Sequence, residues 1–145
     1  MDKFVNQLKI AFASQYAFAI KAQNFHWNVE GIDFYQKHKM FQKIYEETYG
    51  AIDDFAENIR KIKAYTPASL YRFSALSAVD DEVELLDPQA MVAELLRDAE
   101  KMQEIMKVLF TEAEARGENG LSNFLADRQD AFAKHAWFLR STLKD

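Results

Sequence analysis

The chain has no cysteine. Disulfides, thiolate zinc sites and thiol nucleophiles are therefore excluded, and this usage fits a reducing compartment. Glycine and proline are sparse, four and two in 145 residues. So few turn formers beside 49% hydrophobic and 28% charged residues point to a mostly helical chain and exclude the fibrous and disordered classes. No basic block is present: 18 Lys and Arg face 23 Asp and Glu for a formal charge of -5, which argues against strong binding to phosphate backbones. Nor does any apolar run approach the ~20 residues of a membrane span. The nearest candidate, "LKIAFASQYAFAIKAQ", is interrupted by Ser14, Gln15 and Lys21 and reads as a buried helix of a cytoplasmic protein, neither signal nor anchor. The length suits one domain over residues 1–145.

What the chain does have is helical periodicity. Phe4, Leu8, Ala11, Phe12, Phe18, Ala22 and Phe25 share one face of a first helix over about Lys3 to Asn28. Gly31 breaks that pattern, and Asp33 is placed to cap a second helix running to about Lys63, with Phe41, Tyr45, Thr48, Ile52, Phe55, Ile59 and Ile62 inward. Thr66 to Leu86, with Pro67, several serines and the apolar cluster Leu70, Tyr71, Phe73 and Leu76, is a long connection with room for a short helix. "LDPQAMVAELL" then gives a strong start, Asp87 as cap and Pro88 in the first turn. That third helix carries Met91, Leu95, Met102, Ile105 and Leu109 and ends near Arg116 in "RGENG"; the fourth carries Leu121, Leu125, Phe132, Leu139 and Leu143. Two short connections and one long crossover describe an all-α four-helix bundle of the ferritin-like kind.

Bundles of that kind often hold two metals inside one subunit through Glu-x-x-His pairs. Here the residues three before each histidine are Gln23, Tyr35 and Phe132, so that internal centre is not expected. A different set stands out. With His38 as origin and about 100° per residue, Gln42, Asp53 and Glu57 fall near 40°, 60° and 100°, beside an apolar stripe centred near 300°. They form a polar strip on the flank of the core-facing side, where a neighbouring chain could pack. Asp53 and Glu57, one turn apart, can reach a single cation. His38 and Asp53, however, lie roughly 22 Å apart along a helix, too far to ligate one ion within a chain. An antiparallel two-fold pairing of the second helix with its copy would bring His38 of one chain to Asp53 and Glu57 of the other. His26, in the last turn of the first helix, could join His38 across the turn. Two imidazoles and two carboxylates suit Fe(II) or Zn(II) better than Ca²⁺. Taken singly, each histidine reads as an interior or interfacial hydrogen-bonding residue, and an Asp/Glu pair as a solvated helix face.

At these residues the chain resembles the Dps family of mini-ferritins. The matching stretches are "FHWNVEG" with His26 and Trp27, "FYQKHKMF" with His38, "AIDDFAENI" with Asp53 and Glu57, and "KHAWFLRS" in the fourth helix. The resemblance implies a dodecameric homo-oligomeric shell built from two-fold dimers, with ferroxidase sites at the two-fold interfaces that oxidise Fe(II), store the ferric product and protect against oxidative damage. It implies His26 and His38 as ligands from one subunit, Asp53 and Glu57 from its partner, and Trp27 beside the site; core packing at a helix end is the competing role for Trp27.

The departures from the family pattern set the alternatives. Gln42 stands where the family commonly has an Asp that contributes to the site; a neutral, weaker ligand there should weaken the second metal position and make the ferroxidase slow. Lys39 and Lys43 stand near positions that often present acidic residues to the mineral, where cations would repel Fe(II) or attract phosphate. The competing reading is a non-enzymatic or empty cage of the same fold, binding one metal such as zinc or none. With "MDKFVNQ" leading directly into the first helix and "STLKD" at the end, DNA binding is expected to be weak.

Overall fold

The computed structural model describes residues 2–144, which form helices and no strand among those residues. The segments are α1 (Lys3–Asn28), α2 (Phe34–Gly50), α3 (Ile52–Lys61), α4 (Leu70–Leu76), α5 (Pro88–Ala115) and α6 (Asn119–Thr142). The long helices α1, α2 with α3, α5 and α6 make the four-helix bundle, and α4 rides on the crossover. α1 begins where the Asp2 carboxylate accepts from the Phe4 amide at 2.9 Å, and the same carboxylate holds Arg116 from the end of α5 at 2.7 and 3.1 Å. α5 starts as its sequence implies, with Asp87 accepting from the Ala90 amide at 2.8 Å and Pro88 in the first turn. It ends in a reversal through Gly117 at φ 72°, where the Glu118 amide returns to the Ala113 carbonyl at 3.0 Å.

The inward faces close as the periodicity requires. Phe4, Leu8, Phe12, Phe18, Ala22 and Phe25 of α1 are buried with Phe41, Phe55, Ile59, Met91, Leu95, Met102, Leu109, Leu125, Phe132 and Leu139. Phe18 meets Phe132 edge-on at 5.1 Å, and Phe12 meets Phe55 at 5.6 Å, so aromatic contacts join the ends of the sequence through the core. On the crossover only Phe73 of the apolar cluster packs inward, stacked on Tyr16 at 4.6 Å; Leu70 and Tyr71 are exposed. Ser14 and Lys101 anchor that segment through Ala78, at 2.8 Å each.

Two expectations need correction. The second helix is not continuous to Lys63: it breaks between Gly50 and Ile52, and α3 ends at Lys61. The cause lies across the bundle. Gln15, fully buried, donates from Nε2 to the Thr48 carbonyl at 3.1 Å, occupying an acceptor that a regular helix reserves for the amide four residues on, and Thr48 Oγ1 turns back to the Ile44 carbonyl at 2.7 Å. Asp33 holds the N-cap position, but its side chain makes no capping bond; it pairs with Lys37 at 3.4 Å instead.

Gln15 belongs to a polar network that periodicity did not reveal. Its Oε1 accepts from Arg128 Nε at 3.1 Å; the Arg128 guanidinium also grips both oxygens of Glu47, and His135 Nε2 lies 2.7 Å from Glu47 Oε1. Three helices, α1, α2 and α6, meet in this one cluster. Lys21, read as an interruption of the apolar run, is likewise buried, between Glu94 at 3.0 Å and Asp98 at 2.7 Å on α5. Burial pulls the Lys21 pKa down, but the two carboxylates outweigh it and hold it above its ordinary value.

Burial alone would raise the Glu47 pKa, but the hydrogen bonds from His135 and Arg128 prevail and bring it down to about 2 from 4.5. A carboxyl whose folded pKa lies below its unfolded one stabilises the fold fully above about pH 4.5, and that contribution fades as pH falls toward 2. With the Glu47 side chain 39% exposed, solvent screening leaves about 1–2 kcal/mol. Urea unfolding of the wild type and Glu47→Gln at pH 6 and pH 3 should therefore show a stability gap at pH 6 that narrows at pH 3; a gap independent of pH would contradict the assignment.

Candidate metal site

The turn that joins α1 to α2 brings two histidines face to face. Gly31 at φ 121° turns the chain where a side chain would be strained, with Val29 buried just before it. The imidazoles of His26, in the last turn of α1, and His38, in the second turn of α2, stack with centroids 3.8 Å apart and planes at 19°. Each ring is pinned by the other's backbone: His26 Nδ1 donates to the His38 carbonyl at 2.8 Å, and His38 Nδ1 to the His26 carbonyl at 2.6 Å. A carbonyl only accepts, so each Nδ1 must carry its proton. In the neutral form of either ring this puts the lone pair on Nε2, the form in which imidazole ligates a metal.

Phe34 stacks on His38 at 5.0 Å, and Tyr45 tilts against His26 at 5.3 Å. These two rings flank the pair and add to the restraint on ring orientation. His26 is buried and His38 half-buried, and Gln42, one turn along α2, is half-buried as well. Trp27 is 66% exposed, so packing inside its own chain's core is not its role.

Asp53 and Glu57 are elsewhere. They lie on α3, beyond the break at Gly50, one turn apart and both exposed. Neither makes an ion pair within the chain among the described residues. Among the described residues no three His, Asp or Glu side chains stand close enough together to hold a metal ion. A single chain thus presents a preformed two-imidazole half and, separately, a free two-carboxylate half. The third histidine, His135, is engaged with Glu47 inside the bundle and shares no surface role with His26 and His38. What sequence inspection missed here is the reciprocal hydrogen bonding, because the twelve-residue spacing says nothing about which ring nitrogen faces out.

A four-helix bundle with one long crossover defines a ferritin-like protein, and the family model described as a ferritin-like domain matches residues 5–145. The chain is 30% identical over 125 residues to the DNA protection during starvation protein of Helicobacter pylori, spanning 86% of this chain and 87% of that one. In three dimensions it is similar to antigen TpF1 from Treponema pallidum, with TM-score 0.93 at 28% identity over 98% of this chain and 92% of that one. It is equally similar to Dps from Staphylococcus aureus, with TM-score 0.93 at 25% identity over 98% and 95%. Within the ferritin-like proteins, the chain belongs to the Dps family.

The hydrogen-bond geometry makes a spectroscopic prediction. In metal-free protein at pH 8, ¹⁵N-edited spectra should show both His26 and His38 as Nδ1-protonated tautomers, and His26→Ala should release the His38 ring from that preference. Nε2-protonated rings in the wild type would contradict the site as described.

Proposed function

We propose that this protein is an iron-binding and iron-storing Dps protein that oxidises Fe(II) at sites shared between two chains. The observation that carries the reading is the pinned pair of imidazoles, each with Nδ1 turned to the other's backbone carbonyl and Nε2 left over for a metal, in a chain whose described residues supply them no carboxylate. Fe(II) is a borderline cation that takes imidazole nitrogen and carboxylate oxygen together. A dimer in which the partner's Asp53 and Glu57 face His26 and His38 would bring one net neutral half and one anionic half to the same divalent ion. Two such sites arise from a single two-fold axis.

The surface supports an assembling chain. Ile32, Tyr35, Tyr65, Leu70, Tyr71, Val83 and Leu85 are large apolar residues left exposed, several of them around the histidine turn and along the crossover, and such surface is commonly buried in assemblies. Membership of the Dps family supports a homo-oligomeric cage, in which the dodecamer built from two-fold dimers is the proposed form. No helix among the described residues is long and apolar enough to cross a membrane.

In the proposed reaction Fe(II) is the substrate. Two Fe(II) give one electron each to hydrogen peroxide, the O–O bond breaks, and with two protons two waters leave beside two Fe(III). The carboxylates of Asp53 and Glu57 stabilise the higher charge of the product, and the imidazoles keep the ions in place without adding charge. Gln42 is the point of difference. An amide oxygen one turn from His38 offers a dipole where a carboxylate would offer full charge, so the second iron of a site binds more weakly than the first.

Anaerobic Fe(II) titration of the assembled protein followed by peroxide should give oxidation that Asp53→Ala/Glu57→Ala abolishes while the assembly persists. Gln42→Asp should tighten the weaker iron about tenfold, the worth of roughly 1.4 kcal/mol, and quicken oxidation. Unchanged oxidation in the Asp53/Glu57 variant would remove the reading and leave a non-enzymatic cage.

A further inference from the structure

Gln36, Lys39 and Lys43 follow one face of α2 at intervals of three and four residues. Opposite them, Trp137 and Ser141 follow one face at the end of α6. Together they border a groove of about 350 Å³ between the two helices. In a chain with a net charge of -5, no Asp or Glu among the described residues lines this groove. Its polar lining consists of groups that can all donate hydrogen bonds: two ammonium groups, an indole N–H, an amide and the hydroxyls of Ser141 and Thr142, the latter already donating to the Phe138 carbonyl.

The two lysines are unbalanced. Lys39 sits over the Tyr35 ring at 5.7 Å, which leaves its charge uncompensated, and among the described residues neither lysine has a carboxylate within ion-pair distance. The natural helical partner of Lys43 is Glu47, one turn on, but both Glu47 oxygens are taken by Arg128 and His135. Like charges one turn apart destabilise a helix, and an anion bridging them reverses that sign. The buried network therefore leaves Lys43 free for an external anion.

We propose that the groove between α2 and α6, bordered by Lys39, Lys43, Trp137 and Ser141, binds inorganic phosphate. A tetrahedral dianion offers acceptors in several directions and matches two cations with neutral donors around them. A polyanion is disfavoured, because it would engage only two cations here while meeting the repulsion of an acidic chain. The binding stands independently of iron. Its consequence, phosphate held ready for the ferric product, rests on the ferroxidase reading above.

The test is titration of inorganic phosphate into the metal-free, assembled protein, followed by calorimetry and ³¹P NMR, for the wild type and Lys39→Gln/Lys43→Gln. Saturable binding near one phosphate per chain, weakened about tenfold by the double substitution with a phosphate-free thermal melt no lower than the wild type's, supports the proposal. Absence of saturable binding in the wild type, or equal affinity in the double variant, would overturn it. A third arm offers a duplex oligonucleotide at moderate salt: duplex binding that depends on the same lysines, where inorganic phosphate alone does not bind saturably, would assign the groove to nucleic-acid phosphate and overturn the inorganic one. With no iron present, failure of the ferroxidase reading cannot produce any of these results.

Discussion

An α-helix advances about 1.5 Å per residue, and this fixed rise governs what the protein can do. His38 and Asp53 are carried by one helical hairpin arm fifteen residues apart, so no local adjustment lets them share an ion. The break between α2 and α3 is a single residue, Ala51, too short a connection to reverse the chain. Every other feature of the proposed site follows from that separation: the histidine half is built and oriented within the chain, the carboxylate half is presented outward on α3, and function is tied to association. A site divided in this way would exist only in the assembly, and the proposed iron chemistry would then depend on quaternary structure.

The interior is organised around charge and not only around apolar packing. Between its helices the bundle has the Arg128 guanidinium held by Gln15 and Glu47 and close to His135. A permanent cation there satisfies the Glu47 carboxylate and joins α1, α2 and α6. The same contacts draw Gln15 against the Thr48 carbonyl, which accounts for the helix break one turn later, and take Glu47 away from Lys43. This one cluster thus shapes the backbone of the arm that carries His38 and Asp53 and the charge of its outer face.

Much of this was readable from residue order. The spacing of Phe4, Leu8, Phe12, Phe18 and Phe25 marks α1 to its ends because each position needs a buried partner, and Asp87-Pro88 marks the start of α5 because capping is a local interaction. The absence of Glu-x-x-His pairs and the long His38 to Asp53 step follow from counting. The α2/α3 break was not readable, since its cause, Gln15, lies 33 residues away from Thr48. Asp33 carries the residue type of a cap yet pairs with Lys37, a competition between two short-range partners that composition does not settle. Buried Lys21 and Arg128 look like surface residues in a one-dimensional pattern, because only the fold brings Glu94, Asp98 and Glu47 to them. The exposure of Trp27 likewise required the structure.

The central claim is that one site takes ligands from two chains, and co-assembly of complementary variants tests it most directly. His26→Ala/His38→Ala and Asp53→Ala/Glu57→Ala chains should each assemble and each fail to oxidise Fe(II). Mixed by unfolding and reassembly, they should recover about a quarter of the wild-type sites, since half of random pairs are heterodimers with one of two sites intact. Mixed assemblies that form but recover no activity would contradict the shared site, and so would full activity in either variant alone.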